Sequence, residues 1–246
     1  MDLPEEWINY QLQYDLSAEY FQDIPENSHK QCVIIEYRCH ERLIIVIKNF
    51  MYLLQKKEWG LTIFHSKSNA EFIMNGLVGW PNVQFVLLDT DPIFSGDYSS
   101  VLCKPDIWRM LLQAGCINAL VFNVDTVLLK DEVDQFIEYD YIGAPWCIKF
   151  LGVLTVGNGG LSLRNCKTML AIIQTHPIPK HPLNEDIYFS YFLLQTPNVN
   201  IPTMDIAKRF SVETIYNEDT CGMHKPHLDK FPNRDAFIDL LSVRYV

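Results

Sequence analysis

Short apolar runs alternate with segments of helical spacing along most of the chain. The run CVIIE, Cys32 to Glu36, is continuous and ends in charge, as a strand buried on both faces does. The segment after it, ERLIIVIKNFMYLLQKK, places Leu43, Ile47, Phe50 or Met51, and Leu54 at the spacing of one helix face. The alternation continues with a strand at LTIFHS, a helix around NAEFIMNGL, a strand at VQFVLLD, a helix around PDIWRMLLQAG and a strand at NALVFNVD. Continuous apolar strands separated by helices predict βαβ units and a largely parallel central sheet flanked by helices.

The second half of the chain changes character. YDYIGAPW, GGLSLR and AKRFSVE read as shorter strands at a mixed sheet edge, with a smaller mixed sheet expected in this half and helices near CKTMLAIIQ and EDIYFSYFLLQ. The first 30 residues are acidic and aromatic without a clean period, and are expected to form a helical extension. No repeat, linker or low-complexity segment divides the remainder, so residues 31–246 are expected to be a single domain.

Composition narrows the partners. Thirty acidic against twenty basic side chains give a net charge of -10, which disfavours nucleic acid. No apolar run approaches the ~18 residues of a membrane span, and the acidic start lacks the layout of a signal peptide. Seven scattered cysteines without a CxxC read as reduced thiols, so a cytoplasmic location is expected. The N-terminal extension leaves room for a homo-oligomer formed through it.

Ligands of parallel sheets gather at the carboxyl ends of the strands, and those ends carry Glu36, His65, Asp89 and Asp125. In LVFNVDTVLLK, Asn123 and Asp125 are expected to end a strand and point to one side. Asp125 there either holds a divalent cation or caps the next turn. Asp89 and Asp91 in LLDTDPIF form a competing pair. An Asp-x-Asp after a hydrophobic strand also occurs in phosphatases of the haloacid dehalogenase type, but there it follows the first strand and here the third.

In NEDIYFS, Asn184 reads as an N-cap, with Glu185 and Asp186 in the first helical turn. Those acids either complement the helix dipole or supply a general base. CGMHKPH offers His224 and His227 beside Gly222, where the chain is expected to bend, and Pro226, and the two are candidates for a metal site. VGNGGLSLRNC sets Gly159 and Gly160 before the alternating LSLR. Either Asn158-Gly159 is a hairpin turn, or something approaches the backbone closely.

Taken in order, IIEYRCHERLIIVIKNF, VFNVDTVLL, YDYIGAPW, VGNGGLSLRNC, NEDIYFS, RFSVE and CGMHKPH resemble a family of largely uncharacterised proteins, many of them microbial or viral. That family is related to glycosyltransferases of the GT-A fold. The resemblance runs from about Cys32 to Leu228 and implies a nucleotide-binding α/β sandwich. It implies transfer of a sugar from a nucleotide sugar, UDP-linked, to a hydroxyl of a glycan, protein or lipid. A divalent metal, manganese with magnesium as the alternative, would sit on the diphosphate.

Carried over by residue, the resemblance makes Asp125 and His224 metal ligands and Asp186 the base, with Glu185 beside it. Asn158, Gly159 and Gly160 lie against the sugar. Glu36, Arg38, Asn123 and Lys225 face the nucleotide, Arg38 and Lys225 as neutralisers of the diphosphate. Asn123 stands where related enzymes carry a first aspartate, one charge fewer for the metal. Two other functions share such a sheet: a non-catalytic nucleotide-sugar-binding module, and a nucleotidyltransferase that releases pyrophosphate.

Overall fold

The run expected as the first strand is β1 (Lys30–Glu36), at the middle of a six-stranded sheet. On one side β2 (Trp59–His65) pairs parallel with it and β3 (Gln84–Leu87) pairs parallel with β2. On the other side β4 (Asn118–Phe122) is parallel too. The chain continues through β5 (Thr126–Leu128), β6 (Tyr141–Gly143), β7 (Pro145–Phe150), β8 (Leu154–Val156) and β9 (Leu161–Asn165). β9 returns antiparallel to β4 and takes β6 on its far edge, giving the order β3-β2-β1-β4-β9-β6. β10 (Ser211–Val212), β11 (Gly222–His224) and β5 form a small mixed sheet, and β7 pairs with β8. This computed structural model describes residues 4–88, 97–150, 154–176, 184–225 and 227–242.

Helices cover both faces, which is why the central strands are apolar without a break. The helices are α1 (Glu5–Leu12), α2 (Leu43–Leu54), α3 (Ala70–Gly76), α4 (Asp97–Leu102), α5 (Pro105–Gln113), α6 (Cys166–Thr175), α7 (Glu185–Leu193), α8 (Met204–Phe210) and α9 (Arg234–Leu241). Strand alternation divides the core in two. Cys32 and Ile34 of β1 pack with Leu120 and Phe122 of β4 beneath α1, α2, α3, α8 and α9. Val33, Ile35, Ala119 and Val121 face the opposite layer of α4, α5, α6 and α7. Burying each large apolar side chain contributes ~1.5–3 kcal/mol. Phe50 of α2 stacks on Phe122 with ring centroids 3.9 Å apart. Among the described residues no helix is long and apolar enough to cross a membrane.

Four local expectations need revision. β4 ends at Phe122, so Asn123 and Asp125 lie in a turn, closed by Thr126 N–H on the Asn123 carbonyl at 3.2 Å, and not on the strand. β8 and β9 belong to different sheets, so Asn158-Gly159 is not a hairpin. AKRF is the end of α8, not a strand, because Thr203 caps that helix through Ile206 N–H, and Lys208 and Arg209 complement its C-terminus. Gly222 lies within β11, and the bend falls on Lys225, whose backbone is left-handed at φ 39.

Between residues 4 and 29 the chain forms α1 and a short 3-10 turn, Ala18–Phe21, and this stretch folds onto the body. Trp7, Tyr10, Tyr14, Phe21 and Ile24 are buried in the larger core.

Candidate active site

Strand order reverses between β1 and β4, and in open α/β sheets the crevice at such a point takes ligands. Glu36 closes β1, and the turn of Asn123 to Asp125 follows β4. Leu161 of the antiparallel β9 pairs with Phe122, which brings Gly159 and Gly160 to the same end. His224 closes β11 opposite Thr126. Backbone bonds join these loops: Asn123 N–H donates to the Gly160 carbonyl at 3.0 Å, and Lys225 N–H to the Asp125 carbonyl at 2.9 Å.

The His224 imidazole lies between two carboxylates. Its Nε2 is 3.4 Å from Asp125 Oδ1 and its Nδ1 is 3.2 Å from Glu213 Oε1. Burial opposes its charge, but Asp125 and Glu213 outweigh that and raise its pKa to about 9. Burial likewise pushes the Asp125 carboxyl up, and His224 more than reverses it, holding Asp125 below its usual range. Glu213 Oε2 accepts from Asn158 Nδ2 at 2.7 Å, and Asn158 Oδ1 accepts from Gly160 N–H at 3.1 Å. The Asn158 amide is thus engaged within the chain at both ends.

The paired glycines make room for this chain's own side chains. A Cβ on Gly160 would lie 2.2 Å from the His224 ring, and one on Gly159 would lie 2.3 Å from Glu185 Oε1. In this loop the glycine with a positive φ is Gly157, at φ 125. Gly160→Ala is therefore expected to displace His224 from between Asp125 and Glu213. It should cost ~1–3 kcal/mol in urea unfolding, as overpacking does, and bring the His224 pKa down towards that of a free imidazole in an NMR titration. An unchanged titration would mean the ring moves without losing its carboxylates.

Across these glycines stands the acidic pair. Asp186 Oδ2 accepts from Gly159 N–H at 3.2 Å and Oδ1 from Ile187 N–H at 2.7 Å. Burial and the Glu185 charge raise its pKa to about 6 against the pull of those N–H groups and of Arg164. Both Glu185 oxygens are held: Oε1 accepts from Arg164 Nη2 at 3.0 Å and Oε2 from Ser99 Oγ at 2.9 Å. Arg164 is fully buried, takes Ser162 Oγ on its Nε at 2.9 Å, and lies over the Tyr141 and Phe189 rings. Asn184 stands at the N-cap position of α7, but its side chain makes no capping bond.

At the end of β1, Glu36 Oε1 accepts from the Tyr37 and Arg38 N–H groups and from Arg38 Nε, and Oε2 accepts from Arg38 Nη2. Burial raises the Glu36 carboxyl, and the Arg38 bonds override it to a lowered pKa. Arg38 is largely exposed and interacts electrostatically with Asp125. Glu36 thus orients a cation beside the turn. Lys225 is exposed next to His224.

Among the described residues no three His, Cys, Asp or Glu side chains are grouped to hold a metal ion. Asp125 and His224 offer two adjacent donors, which fits a divalent cation that draws the rest of its shell from phosphates and water. His224 must first lose its proton. His227 donates its N–H to the Glu213 carbonyl at 3.2 Å. Asp89 and Asp91 lie outside the described residues.

Glu213 and Arg164 were not among the residues singled out from the sequence. Arg164 had a legible signal: in LSLR it alternates with Ser162 on one face of a strand that is otherwise apolar, and a buried arginine needs a partner. Glu213 follows the two-residue strand β10 and carries no such mark.

Residues 82–224 match the family described as "Protein of unknown function (DUF5672)". No curated protein matches the chain. Among solved structures it is similar to the apo-form glycosyltransferase GlyE of Streptococcus pneumoniae TIGR4, with 13% identity and a TM-score of 0.52 over 88% of this chain and 61% of that one. That likeness shows the GT-A-like fold. A 4-diphosphocytidyl-2C-methyl-D-erythritol synthase from Anaerococcus prevotii DSM 20548 matches at 12% identity and TM-score 0.49, over 75% of this chain and 95% of that one. A glycosyltransferase involved in glycosylation of the major capsid of PBCV-1 matches at 10% identity and TM-score 0.46, over 80% and 94%. These two superpose too loosely to add to it.

Proposed function

The chain belongs to the DUF5672 family of proteins of unknown function, and from the crevice its fold builds we propose that it transfers a sugar from a UDP-linked nucleotide sugar to a hydroxyl acceptor. One observation carries this reading. Asp125 with His224, and Asp186 with its raised pKa, stand on either side of the Gly159-Gly160 backbone at the strand ends.

In this reading Asp186 takes the proton of the acceptor hydroxyl, and a pKa near 6 leaves it both ionised and basic at neutral pH. Arg38, oriented by Glu36, and Lys225 face the diphosphate. Arg164 and Ser99 hold Glu185 so that its charge bears on Asp186. Glu213 fixes the ring of His224 and, through Asn158, the loop before β9. A manganese or magnesium ion on Asp125 and His224 would offset the charge growing on the departing diphosphate. Asn123 supplies an amide in place of a second carboxylate.

The test is a thermal-shift panel of nucleoside diphosphates and nucleotide sugars, with and without manganese. A ligand that binds only the folded chain raises its apparent stability. UDP and UDP-sugars should raise the melting temperature further with manganese than without. Asp125→Ala should remove that extra shift and leave the unliganded protein folded. A panel with no nucleotide response, or a metal-dependent shift that survives in Asp125→Ala, contradicts the reading.

A further inference from the structure

β5 is an edge strand of its small sheet, paired with β11 alone among the described residues. A strand alternates its backbone groups between its two sides. Toward β11 point the Asp125 carbonyl, which accepts from Lys225 N–H at 2.9 Å, and Leu129 N–H, which donates to the Cys221 carbonyl at 2.7 Å. The groups of Thr126 and Leu128 therefore face the open edge. Both residues are buried, and buried backbone groups need partners.

Side chains from two helices complete that edge in place of a strand. Gln11 Nε2 of α1 donates to the Thr126 carbonyl at 3.1 Å. Leu128 N–H donates to Asn49 Oδ1 of α2 at 2.8 Å. The Leu128 carbonyl accepts from Asn49 Nδ2 at 2.9 Å and from the Tyr10 hydroxyl of α1 at 2.9 Å. Tyr10, Gln11 and Asn49 are all buried.

These bonds bear on the candidate metal ligands. Thr126 pairs with His224, so Asp125 and His224 stand at the same end of two paired strands. Their approach, 3.4 Å between Oδ1 and Nε2, depends on where β5 sits. Thr126 also closes the turn, its N–H and Oγ1 both donating to the Asn123 carbonyl. Gln11 holds the carbonyl of the residue directly after Asp125. Apolar packing already anchors α1, with Trp7 stacked on Phe237, so the polar bonds do more than hold the helix in place.

We infer that Gln11 and Tyr10 are positioning residues: α1 clamps the outer edge of β5 and so fixes Asp125 against His224 for a divalent cation. Both residues lie outside the family match at residues 82–224. The consequence for the metal rests on the transferase reading, and the clamp itself on the chain's own bonds.

The experiment compares the full chain with Gln11→Met, Tyr10→Phe and, as a control, Leu12→Gln. In NMR amide exchange without nucleotide or metal, Gln11→Met should speed the Thr126 and Lys225 N–H groups ~10-fold, the worth of one hydrogen bond. Leu88 N–H, which donates to the His65 carbonyl at the far edge of the large sheet, should exchange as before. Tyr10→Phe leaves Asn49 on the Leu128 carbonyl and should speed the turn only ~3-fold. Leu12→Gln alters an exposed neighbour on α1 and should move neither. In thermal shift with saturating UDP, the manganese concentration giving half of the extra shift should rise ~10-fold in Gln11→Met, with the metal-free UDP shift unchanged. Equal acceleration at Leu88, turn amides that exchange as in the wild type, or an unmoved manganese midpoint in Gln11→Met would each overturn the positioning role. A wild type without any manganese response would contradict the metal of the transferase reading, and the exchange result alone would then decide whether α1 clamps the turn.

Discussion

Asp186→Asn is expected to lower turnover by ~100-fold or more while donor affinity stays within about twofold of wild type. The substitution keeps the shape and one acceptor for the Gly159 and Ile187 N–H groups, and removes the basicity. In the wild type the rate should rise tenfold per pH unit below about 6 and level off above it, because the base must be ionised. Stability should move the other way. The folded pKa of Asp186 lies above the ~3.9 of an unfolded aspartate, so its favourable contribution is whole below that value and is lost as pH rises through about 6. Asp186→Asn should then melt at a higher temperature than wild type at pH 8, and the gain should vanish below about pH 4. A variant equally slow but less stable would identify Asp186 as a structural cap.

Arg164→Met is expected to give the largest loss of stability, ~3–5 kcal/mol in urea unfolding, because it strands a buried carboxylate. Arg164 is fully buried and Glu185 nearly so, with 3.0 Å between their charged atoms. Adding Glu185→Gln should restore most of the loss, since the amide keeps Ser99 as partner and carries no charge. Arg164 also pulls the Asp186 pKa down, so the rising limb of the pH–rate profile should shift to higher pH in Arg164→Met. A double variant no more stable than the single one would show that the pair is not coupled.

These two predictions mark where sequence reading succeeded and where it stopped. The central strands were legible because helices on both faces leave Cys32 to Ile35 and Ala119 to Phe122 no polar side to show. AKRFSVE misled because its short alternation outweighed the cap at Thr203 and the basic last turn, the two local signals that decide for helix. Asp125, His224, Gly159, Gly160 and Asp186 stood out at a strand end, a helix start and two loops, the resemblance gave them roles, and the fold brings them to one end of the sheet. What the glycines admit was not legible, because a missing side chain does not say which neighbour fills its space. Here the neighbours are His224 and Glu185, which lie 64 and 26 residues along the chain (224 − 160 and 185 − 159). Glu213 escaped for the same reason. Its partners are Asn158, in the loop before β9, and His224 of β11, and only the packed fold sets the three together.

The central claim is tested most directly by identifying the nucleotide released when the full chain is incubated with a UDP-sugar, manganese and a mixed panel of hydroxyl acceptors. The account predicts stoichiometric UDP and glycosylated acceptor, both formed ~100-fold more slowly or slower still in Asp186→Asn. UDP-sugar that binds but is never consumed would mark a binding module. Pyrophosphate released from UTP and a sugar phosphate would mark a nucleotidyltransferase, and either result would contradict it.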